Sequence, residues 1–230
     1  MKIAILSDVH GNIRFFNQCM QEIEDRNVDK IVALGDYYGY MRGGAEVIRI
    51  LAARGACLLK GNHEAMLLGE LPLDAERDKL YGLHEDLQCI PSDIFALLRN
   101  MKEKLVLHEE GRKMLFLHGS PECPLTGYVY EDDMEKMFAN KTMDYDYIFM
   151  GHTHRSFIRR YNGITFVNVG SCGLPRDCGL TPSFCLFDSE KEEVHIIKKI
   201  IDKEILGNQE YKTLNPVVYE VFLRRCEDED

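Results

Sequence analysis

Long apolar runs are missing from this 230-residue chain. None approaches the ~20 residues that span a bilayer, so no membrane contact is expected. The opening stretch, Met1-Lys2-Ile3-Ala4-Ile5-Leu6-Ser7-Asp8, holds one Lys, and its apolar run stops at Leu6. That is short for a signal-peptide core. Positive charge is scarce as well: 28 Lys and Arg stand against 38 Asp and Glu, a formal charge of -10. This sign repels a phosphate backbone and argues against extended nucleic-acid binding. A small phosphate-ester substrate stays open, because bound cations reverse a local field. None of the eight cysteines forms C-x-x-C. With no secretory signal they read as reduced thiols of a cytoplasmic protein. Gly 18 and Pro 7 are ordinary counts, which excludes collagen-like and low-complexity chains. No G-x-G-x-x-G follows an expected strand, so a dinucleotide fold lacks its fingerprint.

What is present is a mixed pattern. The chain is 45% hydrophobic and long enough to bury about 70% of its unfolded surface. One domain over 1–230 is expected, with a helical insertion or cap near 64–102 and a C-terminal helix and tail at 203–230. The first sixty residues alternate strand and helix: strands at 2–6, 30–34 and 56–59, helices at 12–26 and 44–54. Short connections between them imply a parallel βαβαβ unit. Helices follow at 74–87 and 92–101, behind Pro72 and Pro91. Hairpins are expected over 105–117, 156–169 and 183–200. The second has the strongest signal, because Asn162-Gly163 suits a type I′ turn. Further expectations are a helix at 131–139, a buried strand at 147–150, a helix at 215–225, and a frayed acidic tail from Glu227 to Asp230. A parallel first half and an antiparallel second half suggest two stacked sheets with helices outside, an α/β or α+β chain.

Chemistry gathers at the strand ends. Asp8-Val9-His10-Gly11-Asn12 follows strand one and Gly35-Asp36 follows strand two. Gly61-Asn62-His63-Glu64 follows strand three. His118-Gly119 ends the first hairpin, and Gly151-His152-Thr153-His154 follows the strand at 147–150. Glycine beside each lets the backbone turn sharply at the carboxyl edge of a sheet. Any one segment is a weak signal; five in this order are not. Carboxylates (Asp8, Asp36), imidazoles (His10, His118, His152, His154) and an amide oxygen (Asn62) make seven donors, too many for one tetrahedral ion. They suit two divalent ions sharing a carboxylate and solvent. Mixed nitrogen and oxygen ligation without Cys favours manganese first, then iron or catalytic zinc, with nickel or cobalt also open. Two such ions ~3.5–4 Å apart hold a phosphate and generate hydroxide between them. His63 is then left to donate to the leaving oxygen or to a phosphoryl oxygen.

These blocks, D-x-H, G-D, G-N-H-[DE], a lone His and G-H-x-H, resemble the calcineurin-like metallophosphoesterase superfamily over about residues 1–200. Leu59-Lys60-Gly61-Asn62-His63-Glu64, His118-Gly119-Ser120-Pro121 and Val167-Asn168-Val169-Gly170-Ser171 are similar to its compact prokaryotic phosphodiesterase group. The resemblance implies a four-layer α/β/β/α sandwich of two mixed sheets with flanking helices. It also implies one ion on Asp8, His10 and His154, a second on Asn62, His118 and His152, and Asp36 as the bridge. His63 would be the catalytic acid or transition-state donor, and Arg176 a phosphate contact. Protein phosphatases and dinucleoside tetraphosphatases of the superfamily carry G-D-x-x-D-R-G. Here Gly35-Asp36-Tyr37-Tyr38-Gly39-Tyr40-Met41 lacks that Arg, for which Arg42 or Arg176 could substitute.

The expected activity is therefore metal-dependent hydrolysis of phosphodiesters, with a phosphomonoesterase as the alternative. A non-catalytic scaffold on the same fold, as in a retromer subunit, is a lesser rival, because all seven ligands and His63 are present. A metallo-β-lactamase needs His-x-His-x-Asp-His, and Gly151-His152-Thr153-His154-Arg155 does not continue that way. Substrate choice would come from Tyr37, Tyr38 and Tyr40, from the stretch 64–102, and from the segment 120–130.

Overall fold

The computed structural model describes residues 1–139 and 141–225. The chain opens with β1 (Lys2–Leu6), α1 (Ile13–Asp25), β2 (Lys30–Ala33), α2 (Gly44–Ala53) and β3 (Cys57–Leu58). The three strands run parallel, as their rhythm predicts. Asn12 caps α1, its side-chain oxygen accepting the Phe15 N–H at 3.2 Å. β3 is shorter than expected because it is the edge of its sheet. Leu59 beyond it makes only a single bridge, to Lys102.

The expected insertion holds α3 (Asn62–Leu67), α4 (Ala75–Tyr81), α5 (Leu83–Cys89) and α6 (Ser92–Asn100). The single helix expected over 74–87 is two helices. Gly82 takes φ 67°, and its N–H closes on the Asp78 carbonyl at 2.7 Å. A left-handed glycine ends one helix and redirects the next. β4 (Lys104–Glu109) and β5 (Arg112–Leu117) form a hairpin. A 3₁₀ turn, Glu131–Asp133, leads into α7 (Met134–Phe138), shorter than the helix expected at 131–139. Then come β6 (Tyr147–Met150), β7 (Ser156–Tyr161), β8 (Ile164–Val169), β9 (Ser183–Asp188) and β10 (Glu193–Lys198). After a second 3₁₀ turn, Lys203–Gly207, come α8 (Gln209–Lys212), which had no signal in the sequence, and α9 (Pro216–Phe222). The expected acidic tail lies outside the described residues.

Two mixed five-stranded sheets result, ordered β10-β9-β1-β2-β3 and β4-β5-β6-β8-β7. The period-two pattern of β1 shows how they stack. Ile3 and Ile5 pack with Phe116, Phe149 and Val167 of the second sheet. Ala4 and Leu6 point the other way, onto Phe16 and Met20 of α1 and Val47 and Leu51 of α2. The far face of the second sheet, with Leu115, Ile148 and Phe166, is covered by Val129, Met134 and Phe138. This is the expected α/β/β/α sandwich. Strands covered on both faces read as continuous apolar runs, which is why 2–6 and 147–150 were legible. Tyr211 of α8 and Phe222 of α9 close over Phe15 of α1.

Six cysteines are free, but Cys178 is disulfide-bonded. That corrects the expectation of eight reduced thiols; no spacing rule flags it. Among the described residues no helix is long and apolar enough to cross a membrane.

Candidate metal centre

The carboxyl ends of both sheets meet at one edge. Asp8 and His10 follow β1, Asp36 follows β2, and Asn62 and His63 open α3. His118 follows β5, while His152 and His154 follow β6. All eight are at most 6% exposed. Five of them, Asp8, His10, Asp36, His152 and His154, have φ between 49° and 65°. Non-glycine residues held there cost about 1–3 kcal/mol each unless their surroundings over-determine them. The surroundings do. The N–H groups of Asp8, His10 and Gly11 donate to the carbonyls of Gly35, Asp36 and Tyr37 at 3.1, 3.0 and 2.8 Å. The Ser171 hydroxyl donates to the Asp8 carbonyl at 2.6 Å, and the Arg176 N–H to that of His154 at 3.0 Å.

Each carboxylate is anchored by one oxygen and turns the other toward the imidazoles. Asp8 Oδ2 accepts the His152 N–H at 2.9 Å, and its Oδ1 is buried without a hydrogen-bond partner. Asp36 Oδ1 accepts the His63 N–H at 2.9 Å. Its Oδ2 faces His118, His10 and His63 Nε2 at 3.4, 3.7 and 3.8 Å, between the two halves of the cluster.

The imidazoles are oriented the same way. His10 and His154 donate Nδ1–H to the carbonyls of Tyr38 (3.0 Å) and Leu174 (2.6 Å). A carbonyl only accepts, so Nδ1 carries the proton in each ring, and the two Nε2 atoms face each other at 3.1 Å. Asp8 Oδ1 lies 3.2 Å from the second. His118 Nε2 meets Asn62 Oδ1 at 2.9 Å and His152 Nδ1 at 3.1 Å. Imidazole nitrogens, carboxylate oxygens and an amide oxygen converge in one buried pocket, and this donor set fits a divalent cation.

The electrostatics agree. Burial opposes charge on His118, yet Asp36 and Asp8 outweigh it and push the imidazole up to about 9. Burial works against both carboxylates too, but the imidazoles hold Asp8 and Asp36 below their usual range, His154 and His118 foremost. Burial and then the His118 charge take His152 down to about 3. Burial also lowers His10 and His63. Positive charge is wanted here, and His10 and His152 stay neutral, as ligands must.

Three trios have ligating atoms within 4.8 Å of one another: Asp8–His10–His154, His10–Asp36–His63 and Asp36–His118–His152. The outer two bring together residues that the resemblance assigns to separate ions, with Asp36 in the second trio and Asn62 beside it. The middle one brings His63 closer to the ligands than expected. Its ring lies 4.7 Å from that of His10, and Gly39 makes room for it. A Cβ there would sit 2.2 Å from His63 Nδ1, and Gly39 has φ 91°.

The surrounding residues bring one correction and several additions. Tyr37, expected at the substrate, is closed off from the surface. It is fully buried, and its hydroxyl donates to the Ala33 and Leu59 carbonyls at 3.0 and 2.9 Å, clasping β2 to the end of β3. Tyr38 is buried as well. Arg42 is engaged by the insertion, at Gly82 O (2.9 Å) and Asp86 Oδ1 (3.1 Å). Arg176, half-buried, instead donates to the Tyr40 hydroxyl at 3.3 Å, and Tyr40 packs edge-on against His10 at 4.7 Å. Glu64, named above only as part of its motif, has a structural role. Its buried carboxylate accepts the N–H groups of Asp36, Tyr37, Tyr38 and Gly61 at 2.8, 2.8, 3.3 and 2.9 Å. It ties two ligand loops together, and burial plus the Asp36 charge push it up to about 7. Tyr81 of α4, 4.5 Å from the His63 ring, had no signal of its own. A cavity of about 950 Å³ lies behind Tyr40 and Tyr81, toward α1 and α8, and none of the seven ligands lines it.

Comparison with known proteins agrees with this geometry. Residues 1–192 match the model of the calcineurin-like phosphoesterase superfamily domain, and the chain belongs to that family. It is 27% identical over 215 residues to the uncharacterized protein MJ0912 of Methanocaldococcus jannaschii, covering 85% of this chain and 86% of that one. It is 25% identical over 199 residues to Phosphodiesterase MJ0936 of the same organism, covering 84% and 96%. A metallophosphoesterase from Sphaerobacter thermophilus shares the fold with a TM-score of 0.79 at 20% identity, covering 97% of this chain and 98% of that one.

Proposed function

We propose that the protein hydrolyses phosphodiesters at a dinuclear metal centre. One ion rests on Asp8, His10 and His154, the other on Asn62, His118 and His152, with Asp36 shared and manganese the expected metal. The observation that carries this reading is the facing Nε2 atoms of His10 and His154, 3.1 Å apart beside the unpartnered Asp8 Oδ1. Ions bound there supply electrophilic grip on phosphoryl oxygens and a water that ionises near neutral pH.

The chain's own residues do the rest. Asp36 Oδ1 holds the His63 backbone, so the bridging carboxylate and the donor are set by one contact. His63 turns Nε2 toward the cluster, 3.8 Å from Asp36 Oδ2, and from there it donates to the leaving alkoxide. Arg176, pinned by its own N–H to the His154 carbonyl, brings a guanidinium to the rim for a further phosphoryl oxygen. The similarity to a phosphodiesterase, Phosphodiesterase MJ0936, supports the diester over the monoester.

The test compares bis(p-nitrophenyl) phosphate with p-nitrophenyl phosphate on metal-stripped protein refilled with Mn²⁺. Faster, metal-dependent diester cleavage is expected. Preference for the monoester would reassign the protein as a phosphatase, and turnover of neither with two ions bound would favour the scaffold.

A further inference from the structure

Among the described residues, the large apolar side chains left exposed include only two aromatics, Tyr128 at 48% and Tyr130 at 39%. Both stand at the rim of the metal centre. The Tyr128 ring lies 4.0 Å from that of His152, and the Tyr130 ring lies nearly parallel to it, at 6.1 Å and 7°. Their outward aim is built in. Extended backbone alternates sides, and Val129 between them is 1% exposed, buried against the second sheet. The loop beneath is braced. The Cys123 carbonyl accepts the N–H groups of Ser120, Thr126 and Gly127 at 3.0, 3.3 and 2.9 Å, and Gly119 N–H reaches the Pro124 carbonyl at 2.6 Å. Exposed rings on a rigid support beside a phosphate site cost little ordering when a flat ligand arrives.

We propose that Tyr128 and Tyr130 form a stacking platform for a planar aromatic group of the substrate, so that the site takes base-bearing phosphate esters in preference to aliphatic ones. This rests on the phosphoesterase reading above. Phosphoryl oxygens bind at the buried cluster, and the base lies across the exposed ring faces. Tyr40 and Tyr81 line the opposite, enclosed side, against His10 and His63.

The test is calorimetry on Mn²⁺-loaded protein with three phosphonates that hold no cleavable P–O ester. They are methylphosphonate, the 5′-methylenephosphonate analogue of AMP, and its base-free ribose counterpart. The base-bearing analogue should bind about tenfold to a hundredfold tighter than the base-free one. Tyr130→Ala, remote from the ligands, should remove most of that ratio; Tyr128→Phe should keep it. Equal affinities for the two analogues would overturn the platform while leaving the phosphate site standing. So would a preference that survives both Tyr130→Ala and Tyr128→Ala. Failure of all three phosphonates to bind would instead overturn the phosphoesterase reading, and the platform with it.

Discussion

Left-handed residues gather at both ends of the two sheets, and they do different work at each. At one end, Glu110, Asn162 and Glu192 (φ 52°, 49° and 57°) close the β4–β5, β7–β8 and β9–β10 turns. They are exposed, and the turn alone dictates the conformation. At the other end, Asp8, His10, Asp36, His152 and His154 take the same conformation, buried, where no hairpin requires it. There the backbone is bent so that a side chain points into a common space, and hydrogen bonds from neighbouring loops hold it. The same dihedral angle is a local solution in one place and an imposed one in the other.

Asp36→Ala should break that contrast most strongly. It removes the carboxylate proposed to be shared and the anchor for the His63 N–H, so both ions should be lost and activity should fall to background. Metal analysis after gel filtration checks this, together with a lowered melting temperature; retention of both ions would refute the bridging role. His63→Ala should come next. His63 is helical rather than left-handed, so the ligand frame survives while turnover falls roughly 10²–10⁴-fold. Loss of metal in this variant would make His63 a ligand, as the middle trio allows geometrically.

A subtler expectation concerns protons. Without an ion, His118 titrates at about 9 and so holds its proton at pH 7.5. A metal needs that Nε2 lone pair, so loading should release about one proton there. Affinity should then weaken as pH falls below about 9. Calorimetric metal titrations in two buffers of different ionisation enthalpy should give different apparent heats; identical heats would contradict the assignment. Smallest of all, Asn162→Gly at the opposite end should shift stability within about 0.5 kcal/mol, read as a small change in melting temperature. A large loss there would erase the distinction between the two ends.

Most of the edge was legible because its signals are local. An apolar run ending in Gly with Asp or His beside it marks a strand end, and the strands at 147–150, 156–161 and 164–169 carry either two-sided burial or an Asn-Gly turn. Misreadings arose where long-range contacts decide. Tyr37 lies in a ligand loop and looked available for substrate, but its hydroxyl reaches Leu59, which only folding brings near. Tyr81 reaches His63 from a helix in the insertion. Glu64 serves two loops at once, and its side chain announces nothing of that in the sequence. The break at Gly82 is a local signal that helical periodicity on both sides masked.

The order in which the ligands emerge during synthesis follows from the same layout. Asp8, His10, Asp36 and Asn62 are made early and sit on the sheet that begins the chain, whereas His118, His152 and His154 belong to the second. The first sheet is itself complete only when β9 joins β1 and β10 joins β9. A nascent chain that has folded its leading half therefore owns part of each ligand set and neither one whole. On the proposed assignment, metal capture would be tied to docking of the two sheets, and a loaded molecule would report that both halves have found each other.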